Sequence, residues 1–133
     1  MSTKLAVLFG LLLAPLPLLA HHAFAAEFDI SKPVTVQGTV TKVEWANPHI
    51  WVYLDAKDDR GNVARWQCEG GSPNTLTRQG WKKDSLKQGD QVTIDGYRAK
   101  DGSHRANGRN LTLPGGETLF LGSSGTGAPE EKR

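Results

Sequence analysis

PVTVQGTVTKVEWANPH, residues 33–49, reads as one long strand that bends and then turns. Val34, Val36 and Val40 alternate with Thr35, Gln37, Thr39 and Thr41, the two-residue period of a half-buried strand. Gly38 stands where a branched residue is expected, and a glycine inside a strand often marks a sharp bend or a bulge. The alternation then changes phase, with Val43 and Trp45 apolar, which an extra residue near Thr41 or Lys42 would produce. Asn47-Pro48 is a turn signal.

Short strands follow from there. His49 to Ala56 carries Ile50, Val52 and Leu54 on one face and Trp51 and Tyr53 on the other. Asp58 to Asn62 forms a hairpin loop, and Val63 to Glu69 is a third strand containing Trp66 and Cys68. Gly70-Gly71 breaks the pattern. Ser72 and Pro73 look like an N-cap followed by proline at the first helical position, predicting a short helix over Asn74 to Gln79 that ends at Gly80, with Trp81 packed under it. Gln91 to Ala99 is a fourth strand, Asp101-Gly102 a hairpin turn and Ala106 to Leu113 a fifth strand; Glu117 to Leu121 offers a sixth. The expected fold is all-β with one short helix. A bent first strand and a helix between strands three and four suggest a small closed barrel like the oligonucleotide/oligosaccharide-binding (OB) barrel. The alternative is a small open β-sandwich. Closure suits a single small domain because it removes most exposed sheet edges.

The ends of the chain read differently. Lys4, the apolar run Leu5 to Ala14, the breakers Pro15 and Pro17 and the small Ala20 have the layout of a secretory signal peptide. The run is short for a bilayer span, so no membrane span is expected after cleavage. Cleavage after Ala20 fits the end of the apolar run and leaves His21-His22 at the new terminus; cleavage after Ala25 would delete both histidines. The expected organisation is a signal peptide at 1–20, one domain at 21–121 and a disordered tail at 122–133, in a periplasmic or secreted protein. Ser123 to Arg133 is small, polar and charged, as such a tail would be.

Composition excludes several functions. Sixteen basic against fourteen acidic residues leave no strong electrostatic footprint for nucleic acid. One cysteine makes no internal disulfide, zinc ribbon or CxxC pair, and Cys68 reads as a buried inert thiol. No Ser-His-Asp pattern, P-loop or zinc-protease motif is present.

A resemblance follows from particular residues: His21-His22-Ala23-Phe24, Phe28-Asp29, Gly38 to Glu44, Trp45-Ala46-Asn47-Pro48-His49, Gly71-Ser72-Pro73 and Gly80-Trp81. Over about residues 21 to 121 the sequence resembles a family of small secreted bacterial proteins catalogued only as a domain of unknown function. The resemblance implies an exported all-β domain with no established activity. It also implies a mature chain that opens on the paired histidines.

The histidines are the one constellation with chemistry. An N-terminal His offers its amine and its ring Nδ1 together, and these can chelate one copper ion. A third nitrogen completes a T-shaped histidine brace, and copper(II) suits such nitrogen ligation. His22 or His49 are candidates for that third ligand, with His104 behind them. Cleavage one residue earlier would place His22 third, another copper-chelating terminus. Solvated terminal histidines and a His49 that merely hydrogen-bonds across its turn are the competing reading. Trp45, Trp51 and Tyr53 are candidates for stacking an unidentified small ligand, a glycan or a partner protein, against a role in core packing. Asp29, Glu44 and Glu69 read as solvated or capping carboxylates. The expected function is an exported binding protein with copper as possible cofactor. The alternatives are a non-metal binding module on the aromatic face and a copper-dependent redox enzyme, with binding favoured over catalysis.

Overall fold

The computed structural model describes residues 24–122; the expected leader, His21, His22 and residues 123–133 of the expected tail lie outside the described residues. The elements are β1 (Phe28–Glu44), β2 (Trp51–Lys57), β3 (Val63–Glu69), α1 (Pro73–Arg78), β4 (Gln91–Ala99), β5 (Arg105–Thr112) and β6 (Thr118–Phe120). The fold is mostly β, built on a six-stranded sheet ordered β3-β2-β1-β4-β5-β6. A further parallel pairing of β3 with β5 joins the two ends, so β1, β2, β3, β5 and β4 form a ring of hydrogen bonds.

The 17-residue β1 makes that ring possible. Its first part pairs with β4 up to Thr39↔Gln91, and its second pairs with β2 from Gly38↔Ala56. Gly38 sits where the strand is shared by both neighbours. A Cβ there would lie 2.5 Å from the Asp55 carbonyl oxygen, so glycine is required by close backbone approach. The register with β2 shifts between Val40 and Lys42, which places a bulge at the expected phase change. β1 also begins five residues earlier than the valine alternation suggested, because residues 28–32 pair only irregularly near β4.

One face of each of these five strands points into the ring. Val36, Val40, Val52, Leu54, Trp66, Cys68, Val92, Ile94, Ala106 and Leu111 form a single buried cluster there. α1 and the segment after it supply further members of that cluster. Ser72 caps the helix by accepting from the Thr75 backbone N–H, and Pro73 occupies its first turn. Leu76 and Trp81 are buried, and Trp81 Nε1 donates to the Phe120 carbonyl at 2.9 Å, tying this segment to the end of β6. Burying Leu76 contributes roughly 1.5–3 kcal/mol.

A smaller cluster lies apart from this core. Residues 24–27 form a helical turn, and Phe24 packs with Phe28, Ala99 and the ring of Tyr97. Lys100 N–H donates to the Glu27 carbonyl, which pins the turn to the end of β4. Among the described residues no helix is long and apolar enough to cross a membrane.

Candidate functional site

Strand pairing sets a row of side chains around the outside of the ring. Tyr97 on β4 pairs with Asn107 on β5, Asn107 with Glu69 on β3, and Glu69 with Trp51 on β2. Directly paired residues project from the same face. Their chain neighbours Val52, Cys68 and Ala106 belong to the inner core, so this row faces outward.

His49 stands beside the row, two residues before Trp51. The Asn47–Pro48 peptide preceding it is cis. Its neighbour Ile50 donates to the Gly71 carbonyl and accepts from the Gly70 N–H, both at 2.9 Å. Gly70 is a glycine because a Cβ would approach Ile50 and Leu121 side-chain carbons to 2.9 Å. His49 Nδ1–H donates to the Gly70 carbonyl at 3.1 Å. A carbonyl only accepts, so Nδ1 carries the proton and the neutral ring keeps its lone pair on Nε2. That Nε2 lies 3.7 Å from a Glu69 carboxylate oxygen, too far for a good hydrogen bond.

Glu69 is buried, against the expectation of a solvated or capping carboxylate. Cys68 before it faces the core while Glu69 faces out among His49, Arg105 and Glu27, so two consecutive strand residues are both covered. Burial pushes the Glu69 carboxyl above the ordinary carboxylate range, and the Glu27 charge adds to this. Arg105 pulls the other way, as does His49 whenever its ring is protonated. Its neighbour in the row, Asn107, is 2% exposed, and its Oδ1 is a buried acceptor with no hydrogen-bond partner.

Over residues 10–109 the sequence matches the family of unknown function DUF6152. The chain belongs to that family. No curated protein matches it. The resemblance read from the paired histidines and the Trp-x-Asn-Pro-His segment therefore led to a family of unknown function, as expected.

Within this DUF6152 chain the remaining candidates separate. His104 is exposed on the β4–β5 turn, its ring 5.0 Å from that of Trp66. Among the described residues no group of three or more His, Cys, Asp or Glu side chains is placed to hold a metal. His49 and Glu69 are a pair. Cys68 is fully buried and its thiol is pushed up to about 12 by burial, so it is protonated and inert at neutral pH.

The aromatics divide between the core and the outer surface. Trp66 and Trp81 belong to the core and Trp45 packs against it. Trp51 and Tyr53 face outward, but each carries a cation of its own: Arg105 over Trp51 at 5.5 Å and Lys42 over Tyr53 at 5.4 Å. Tyr53 also donates to Glu44, which holds Lys42 at 2.7 Å. These hydrogen bonds hold the Glu44 carboxyl below its ordinary range, Lys42 first and Tyr53 second. Asp29 accepts from Ser31 and plays a local turn role. An open groove of about 450 Å³ is lined by Gln37, Gln91, Val92, Thr93, Thr112, Leu113 and Pro114. It contains no aromatic platform.

Sequence reasoning missed Asn107 and misjudged Glu69. Nothing local marks Asn107, since its importance depends on the parallel β3–β5 pairing. For Glu69 a signal existed: an acidic residue at the end of a strand, directly before a Gly-Gly pair that lets another backbone come close.

Proposed function

We propose that this DUF6152 protein is an exported metal-binding protein, copper by preference, whose mature N-terminal His21 chelates the ion with His49 as a further nitrogen ligand. The carrying observation is the placement of His49. Its ring is fixed by the Nδ1–H bond to Gly70, which in the neutral ring leaves Nε2 as the ligating nitrogen, the arrangement that metal-binding histidines use.

The place of Phe24 on the row supports the reading. Phe24 packs on Tyr97, with ring centroids 5.9 Å apart. Tyr97 lies two pairings from Glu69 along the row, a distance of about 10 Å at normal strand spacing. His21 precedes Phe24 by three residues in the sequence. His22 is the alternative third ligand in the same reading.

On the fold, we read the ring as a small OB-like barrel. The parallel β3–β5 contact and the helix between β3 and β4 support this. The interior is filled by side chains, so a ligand belongs on the outside. The stacking alternative is less well supported, because Trp51 and Tyr53 already carry Arg105 and Lys42.

The test is native mass spectrometry of protein exported with its own signal peptide, with and without one equivalent of copper(II). A chain starting at His21 that holds one copper against a competing chelator, and loses it on His49→Ala, is the expected result. A chain starting at Ala26, or one starting at His21 that holds no copper, overturns the proposal.

A further inference from the structure

We infer that the open groove on the outer face of β1, β4 and β5 is a binding site for a neutral oligosaccharide chain lying across the strands. The groove is separate from the histidine site, and the inference does not rest on that reading.

Strand register builds the groove. Gln37 on β1 pairs with Thr93 on β4, Thr93 with Thr112 on β5, and Thr112 with Thr118 on β6. Directly paired residues project from the same face, and the chain neighbours Val36, Val92, Ile94 and Leu111 lie in the core, so this row faces outward. Neutral side chains with hydroxyl or amide groups therefore stand in line across these strands, over roughly 14 Å at normal strand spacing. Gln91 adds a second amide beside them, and Leu113 and Pro114 supply an apolar wall. The groove volume of about 450 Å³ falls within the range of small-ligand sites, roughly 300–1,000 Å³.

The chemistry of the lining selects the ligand. Among the described residues no charged side chain lines the groove. The next rung of the ladder carries Asp95, whose carboxylate already accepts from Thr35 Oγ1 at 2.6 Å. An ionic ligand would lose hydration here without meeting a counter-charge. Among the described residues the side chains of Gln37, Gln91 and Thr93 form no hydrogen bond, so the fold leaves their donors and acceptors unused. Hydroxyl and amide groups both donate and accept, which matches the hydroxyls of a sugar. The C–H faces of a sugar ring suit the apolar wall. One pyranose residue advances along its chain by about one strand spacing, so successive rings meet successive strands. A peptide fits less well. It binds a sheet by adding to a free main-chain edge, and β4 beneath the groove is paired on both edges.

Maltohexaose, cellohexaose and chitohexaose are the probes, titrated into the isotope-labelled full mature chain while amide chemical shifts are recorded. At least one of them is expected to shift the amides of Gln37, Gln91, Thr93 and Thr112, with glucose far weaker at the same concentration and binding unchanged in His49→Ala. Thr93→Val removes the central hydroxyl and keeps a β-branched side chain. It is expected to weaken binding by roughly threefold to tenfold, with circular dichroism unchanged. Gln37→Ala is expected to weaken binding similarly, and carries the test if Thr93→Val fails to fold. No shift in the groove with any of the sugars, shifts centred on Trp51 and Tyr53 instead, or parental affinity in the folded variants would overturn the inference. An equal response to an uncharged peptide of similar length would overturn the choice of sugar. None of these outcomes bears on the histidine reading.

Discussion

Gly38→Ala places one methyl group at the point where β1 is shared between two neighbouring strands. Its carbon would lie 2.5 Å from the Asp55 carbonyl oxygen and 3.2 Å from the Ala56 Cα. Ordinary contact begins near 3.4 Å, so the β2 backbone must retreat by about 0.9 Å at Asp55. Neither contact is the far end of a flexible side chain, and the ring gives β2 little room because β3 holds its other edge. Overpacking of this kind costs about 1–3 kcal/mol. The substitution recovers about 0.4–1 kcal/mol by restricting the unfolded chain. With rigid backbone as the obstacle, the net loss is about 1–2 kcal/mol, or a fall in Tm of roughly 5–15 °C. Gly115→Ala is the control: nothing lies within 4 Å of its added Cβ, and its φ is not positive. Thermal unfolding followed by circular dichroism compares the two. Equal Tm values for Gly38→Ala and Gly115→Ala would refute the close-approach argument and the tight β1–β2 contact with it.

Other consequences are equally direct. Trp81→Phe removes the donor to the Phe120 carbonyl and is expected to lower stability by about 1–3 kcal/mol in urea unfolding. Leu76→Ala empties a fully buried position and is expected to cost about 2–5 kcal/mol by the same assay. Cys68 is expected to resist thiol reagents between pH 6 and pH 9 in the native protein, about the range in which an exposed thiol ionises. It reacts on unfolding, so fast native labelling would contradict its burial. Asp29, Asp58 and Asp101 are held below their ordinary value of 3.8, and Glu44 below 4.5, by local hydrogen bonds. Their stabilisation is complete above those values and is lost as pH falls through the lower folded ones. Glu69 has the opposite sign, because a carboxyl raised by burial loses stability as pH rises through its range. Metal-free Glu69→Gln is therefore expected to melt higher than the parent at pH 7, and a lower Tm would contradict the raised carboxyl.

The order of elements was legible because each rests on local physics. The valine alternation, the phase change after Gly38, the Ser72-Pro73 cap and the turn glycines each set a strand, bulge, helix or turn within a few residues of chain. The bulge between Val40 and Lys42 is the clearest instance, since one added residue moves every following side chain to the other face. His49 was also legible as a candidate, because histidine after a fixed turn has a defined position.

Tertiary structure decided which residues meet. The parallel pairing of β3 with β5 brings Asn107 beside Glu69 from nearly forty residues away, and no periodicity announces it. The same pairing buries Glu69 on the outer face although sequence favours solvent for an acid. It likewise places Arg105 over Trp51, which turns an apparent stacking surface into one already covered. Sequence by itself determined the strands, the bend, the cap and the place of His49 directly after its turn. Closure of the ring determined the neighbours of that histidine, because side-chain proximity across strands depends on register, and register is set by the whole sheet at once.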